Sequence, residues 1–132
     1  MMIDASAFVA MLTDEPEGPV LSERLSTARK PLTTPVALFE AALGIARKRS
    51  ITVAGARAAL DELVELVGII EVSITPEIGE RAIEAFARYG KGTGHPAQLN
   101  LGDCFAYGAA RVHRTPLLFK GDDFPQTDIS RA

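Results

Sequence analysis

Four short strand-like runs, the apolar Met1–Ile3 and Pro116–Phe119, the β-branched Ile69–Val72 and the possible strand Pro31–Thr34, alternate along the chain with longer amphipathic stretches. That alternation constrains the fold more than any other feature. Strands so brief and so apolar are covered on both faces, and parallel sheets achieve this by returning through helices. The expected architecture is therefore α/β, a parallel sheet flanked by helices. Ligands of such sheets gather at the carboxyl ends of the strands.

The intervening stretches read as helices. Residues 5–13 form the first. Asp14-Glu15-Pro16-Glu17 opens a second that reaches about Thr27, with proline and acids where a helix start favours them. PVALFEAALGIARKR, from Pro35, is a third, with its bases at the carboxyl end. Ile51–Gly68 carries Leu60, Leu63, Val64 and Val67 on one face, Thr75–Tyr89 carries Ile78, Ala82, Ile83 and Phe86, and a last helix runs from Leu99 to about His113. Gly90–Pro96 reads as a flexible loop.

The chain has 132 residues, 47% of them apolar, the size of one domain with a real core, so residues 1–132 are expected to form a single domain. Seventeen acids against fourteen lysines and arginines leave a net charge of −3, which argues against nucleic-acid binding through bulk positive charge but leaves room for a local basic rim. A lone cysteine, Cys104, excludes an internal disulfide and a multi-cysteine zinc site. No apolar run is long enough to span a membrane, and Met1-Met2-Ile3-Asp4 has none of the features of a secretory signal. A soluble protein of a reducing compartment is expected.

Most of the acids, Glu15 and Glu17 among them, read as solvated or capping. Four places do not. Asp4 ends the first buried strand, where it is either a site residue, a helix N-cap, or both. Glu40 shares a helix face with Val36 and Leu43 beside Phe39, and a carboxylate there loses hydration unless something compensates. Asp103 lies among Leu99, Cys104 and Tyr107 near a helix start, where capping is the alternative. Asp122-Asp123 follows the last strand directly, where turn chemistry also favours aspartate. Carboxylates brought together cannot all stay ionised without a counter-charge. A hard divalent cation with oxygen ligands, Mg²⁺ or Mn²⁺, resolves that conflict, and such a centre beside a phosphodiester is nuclease chemistry.

The order Asp4, Glu40, Asp103, Asp123 resembles the acidic quartet of PIN-domain ribonucleases. The strings Met2-Ile3-Asp4-Ala5-Ser6-Ala7, Leu99-Asn100-Leu101-Gly102-Asp103-Cys104-Phe105-Ala106-Tyr107 and Pro116-Leu117-Leu118-Phe119-Lys120-Gly121-Asp122-Asp123-Phe124 closely resemble VapC toxins of type II toxin–antitoxin pairs, over residues 2 to about 129. The resemblance implies a PIN-like three-layer fold with a five-stranded parallel sheet. It also implies a cytoplasmic, Mg²⁺-dependent endoribonuclease, with Mn²⁺ as substitute, that leaves a 5′-phosphate and a 3′-hydroxyl. Carried over by position, Asp4 and Asp103 are the main metal ligands and Glu40 completes the site. Asp123, the aspartate before phenylalanine, is favoured over Asp122 as the fourth acid, and Ser6 is a small hydroxyl residue assisting at the site. The implied partners are RNA, a VapB-type antitoxin and a second copy in a homodimer.

A candidate RNA-contacting rim is Arg47-Lys48-Arg49, Lys91, His95, Arg111, Arg114 and Lys120, each also explicable as solubility or helix-end charge. Rival chemistries fail on spacing. Lys91 sits in a glycine-rich loop, but Ala85 and Gly92 stand where a phosphate loop needs glycine and a hydroxyl residue. His95 and His113 are too few and too far apart for zinc. Cys104 reads as core. A haloacid-dehalogenase-like phosphatase needs an acid at Ser6, and a response-regulator receiver needs an acceptor aspartate after Ile69–Val72, where Ser73 and Ile74 stand. The remaining alternative is a catalytically silent module of the same fold that binds an antitoxin or other partner.

Overall fold

The computed structural model describes residues 1–132. Strands β1 (Met2–Ile3), β2 (Leu32–Thr33), β3 (Ile70–Glu71) and β4 (Leu117–Leu118) form one parallel sheet in the order β3-β2-β1-β4. Helices α1 (Ala5–Leu12), α2 (Gly18–Ser26), α3 (Pro35–Arg49), α4 (Val53–Val67), α5 (Pro76–Tyr89) and α6 (Leu101–Val112) surround it, and a short 3₁₀ turn follows at Phe124–Gln126. Successive strand residues point to opposite faces. Met2, Leu32 and Leu117 therefore join the core under α5 and α6, while Ile3 and Leu118 join the one under α1 to α4. The result is three layers, helix, sheet, helix.

The sheet has four strands where the resemblance implied five. The place of the fifth is taken by the chain end. Ser130 C=O accepts from Leu117 N–H (2.9 Å), Ala132 N–H donates to Leu117 C=O (2.9 Å), and the pairing of Leu117 with Arg131 stops at a single bridge. One residue of ladder does not make a strand. At the opposite edge, β3 is exposed at both residues, so cover on both faces holds only for the inner part of the sheet.

The second helix begins later than expected, at Gly18. Asp14 adopts a left-handed φ of 55°, and Glu15 N–H returns to Ala10 C=O (3.2 Å), which closes a turn and ends α1. The Gly90–Pro96 segment is anchored at its base, where Lys91 N–H donates to Leu99 C=O and Leu99 N–H to Tyr89 C=O, each at 2.9 Å. The same bonds set the start of α6, and with it the place of Asp103.

Candidate active site

Asp4 leaves β1 at its carboxyl end and caps α1, so the two roles open in the sequence coincide in one residue. Its Oδ2 accepts from Ser6 N–H (3.0 Å) and from Ser6 Oγ–H (2.5 Å), and the residue is only 3% exposed. Ser6 Oγ in turn accepts from Lys120 N–H (3.0 Å). One hydroxyl thus joins the ends of β1 and β4, neighbours in the sheet. Burial pushes the Asp4 carboxyl above its ordinary range, and the bonds from Ser6 only offset this.

Asp103 is held by a capping box. Asn100 Oδ1 accepts from Asp103 N–H (2.9 Å), and Asp103 Oδ2 accepts from Asn100 N–H (3.0 Å). The cap uses one carboxylate oxygen and leaves the other. Burial pushes this carboxyl up to about 6, and the negative charges of Asp4 and Asp123 add to the shift against the bond from Asn100.

Glu40 lies on the second turn of α3, whose start is fixed by the buried Thr34, Oγ1 of which accepts from Ala37 N–H (3.1 Å). Phe39 beside it is 65% exposed, so the apolar helix face read from the sequence is partly open to solvent. Desolvation pushes Glu40 up to about 7, followed by the charges of Asp4 and Asp103. Its carboxyl lies against Gly102, where a Cβ would fall 1.8 Å from Oε1. The glycine before Asp103 is therefore what lets Glu40 reach α6, a function no local pattern in the sequence announces.

Asp122 and Asp123 are both exposed on the turn after β4. The charge of Asp123 reaches Asp103, whereas Asp122 lines a separate cavity beside α2. Asp4, Glu40, Asp103 and Asp123 therefore share one field at the carboxyl end of the sheet. None of the four takes part in an ion pair. No three acidic, histidine or cysteine side chains close into a ready ligand shell. The carboxylates stand near enough to repel and too far apart to enclose an ion as they are. Their chemistry, all oxygen, without a cationic partner and desolvated at Asp4, Glu40 and Asp103, nevertheless fits a hard divalent cation.

The basic residues divide. Lys48 and Lys120 both pair with Glu15, whose side chain is 12% exposed, so the solvated reading of Glu15 is wrong. Nothing local marks this, because the partners lie 33 and 105 residues away. Arg111 lies at the other end of α6 from Asp103, about 12 Å along the axis, and is held by Asp128 (2.5 Å). His95 packs its ring on Tyr89 and its Nδ1 accepts from Ala97 N–H (3.0 Å). Cys104 is buried core, its thiol pushed up to about 11 by burial.

Fold and site define a class: a three-layer α/β protein with a group of uncompensated carboxylates at the carboxyl ends of its parallel strands. The PIN domain family model matches residues 1–130. The chain is 43% identical to VapC ribonuclease R02377 of Rhizobium meliloti, over 96% of this chain and 97% of that protein. It is 35% identical to ribonuclease VapC28 of Mycobacterium tuberculosis, over 100% and 97%. The crystal structure of M. tuberculosis VapC20, described as a sarcin–ricin loop cleaving toxin, superposes with a TM-score of 0.74 over 99% of this chain and 97% of that one, at 18% identity, a likeness of fold. The chain belongs to the PIN-domain family, among its VapC ribonucleases.

Proposed function

We propose that this chain is a single PIN-like domain, residues 1–132, acting as the toxin of a type II toxin–antitoxin pair and cutting RNA phosphodiester bonds with a divalent cation, Mg²⁺ or in its place Mn²⁺. The observation that carries the reading is the group of four carboxylates, with Asp4 and Asp103 acting on Glu40 and Asp4 and Asp123 acting on Asp103, none of them paired with a lysine or arginine. Carboxylates left in that state destabilise the fold, which is reasonable only where a ligand relieves them.

In this reading Asp4 and Asp103 are the principal ligands, with Glu40 completing the set and Asp123 at its rim. The bound cation supplies a Lewis acid for the phosphate and lowers the pKa of a water. Ser6 engages Oδ2 of Asp4 and Asn100 engages Oδ2 of Asp103, which leaves Oδ1 of each for a cation. In this reading Glu40, half-buried and pushed up to about 7, would take the proton from the attacking water. A VapB-type antitoxin and a second copy of the chain are the expected protein partners, supported by exposed Ile83, Phe86 and Leu101 around an apolar groove of about 400 Å³ between α5 and α6. No helix is long and apolar enough to cross a membrane, in keeping with a cytoplasmic protein.

The test is cleavage of a defined RNA panel by partner-free protein in Mg²⁺, in Mn²⁺ and in EDTA, beside Asp103→Asn. The amide oxygen of asparagine can still accept from Asn100 N–H, so the cap survives while the charge goes. Cleavage that needs metal and is lost in the variant is expected. An intact protein that binds neither cation and cuts nothing would leave the silent binding module in its place.

A further inference from the structure

Glu15 occupies an unusual position for a surface glutamate. Each of its carboxylate oxygens takes a different lysine, Oε1 that of Lys48 from the end of α3 and Oε2 that of Lys120 from the turn after β4. Lys120 also reaches Glu17 (3.4 Å). The carboxylate is the inner member of the group: it is 12% exposed, while the lysines are 45% and 33% exposed. The turn that carries it does not need this anchor, because Glu15 N–H already bonds Ala10 C=O and Gly18 N–H bonds Glu15 C=O (2.9 Å). Lys120 is meanwhile tied to the acidic group, its own N–H on Ser6 Oγ and Ser6 Oγ–H on Asp4. Two ammonium groups from distant parts of the chain therefore converge on one two-oxygen anion, beside a site whose charge repels nucleic acid.

We propose that Lys48 and Lys120 form a contact site for the RNA backbone next to the carboxylate group, and that Glu15 fills it with its own carboxylate until a phosphodiester displaces it. A phosphodiester presents the same features as Glu15: one negative charge shared by two oxygens on one atom. Once displaced, Glu15 turns out to solvent from an exposed turn, and the two lysines exchange one anion for another. The competition weakens binding to arbitrary RNA and reserves tight binding for strands that make further contacts. This inference rests on the ribonuclease reading.

The experiment measures binding of a fluorescent single-stranded RNA oligonucleotide to the full chain carrying Asp103→Asn, without divalent cation, from 50 to 200 mM KCl as a working range of about fourfold in salt. Adding Glu15→Gln should tighten binding about 3- to 10-fold at the low-salt end and steepen the dependence of log K on log salt by about 0.7, the value for one freed phosphate contact on a single strand. Adding Lys48→Gln and Lys120→Gln to that variant should remove both gains. Circular dichroism establishes that each variant is folded. A folded Glu15→Gln protein with unchanged or weaker binding and an unchanged slope would make Glu15 a strut and overturn the proposal, while wild-type cleavage of RNA would leave the nuclease reading standing. If the Asp103→Asn protein binds no RNA and the wild type cuts none, both readings fall together.

Discussion

Gly102 shows how much one missing side chain does here. A Cβ at this position would collide with all three atoms of the Glu40 carboxyl group, at 1.8 to 2.4 Å. The obstacle is the free end of a flexible side chain, so Gly102→Ala should keep the fold and turn Glu40 aside. The expected result is a loss of RNA cleavage of about 10²- to 10⁴-fold, in keeping with removal of one proton-transfer group, with thermal unfolding shifted by no more than about 4 °C. A collapse of stability instead would show that Glu40 is wedged in place. Asp4, Glu40 and Asp103 stand out in the sequence because each is a charge locally out of place: after a buried strand, on an apolar helix face, beside core residues. The ion pairs of Glu15 are hidden for the converse reason. Beside Asp14 and Pro16 an acid looks ordinary, and only the folded chain brings Lys48 and Lys120 to it.

Among the elements, α3 was the most legible. Its span, Pro35–Arg49, is that of the sequence segment, since Thr34 caps it, Pro35 sits at N1 and three bases close the last turn. Thr34→Ala leaves the cap of a buried helix start unmade and should cost about 1–2 kcal/mol, measured as a lower urea midpoint at unchanged slope. Strands were less legible. Runs of three or four strand-like residues yield strands of two, because pairing in register ends sooner than strand character does. The late start of α2 follows from the left-handed turn at Asp14, which a reading of proline and acid positions does not capture. The fifth strand was implied by likeness alone, and beside β4 the chain offers a one-residue bridge from Leu117 to Arg131.

For the whole molecule, the carboxylate group ties stability to pH and to cations. Asp103 and Glu40 have their carboxyls at about 6 and about 7 in the fold, above the ordinary values of free carboxyls. A raised carboxyl binds protons more readily folded than unfolded, so it lowers stability once pH rises past the unfolded value, and the penalty is complete above the folded one. Metal-free protein should therefore melt several degrees higher near pH 5 than near pH 8. Glu15, held below its ordinary range by its hydrogen bonds to Lys120 and Lys48, acts in the opposite sense and withdraws its contribution at more acidic pH. Magnesium should raise the melting temperature near pH 8 and do little near pH 5. Melting curves across that range, with and without MgCl₂, check both signs, and a flat profile would mean that the acids are not coupled in solution.

The contact between Gly102 and Glu40 has a further consequence, for descent. A lineage that lost the glutamate would release the neighbouring helix from its demand for glycine, and one that gained a side chain at 102 would lose the benefit of the glutamate. Across related chains the two positions should change as a pair, although 62 positions and two intervening helices, α4 and α5, separate them in the chain.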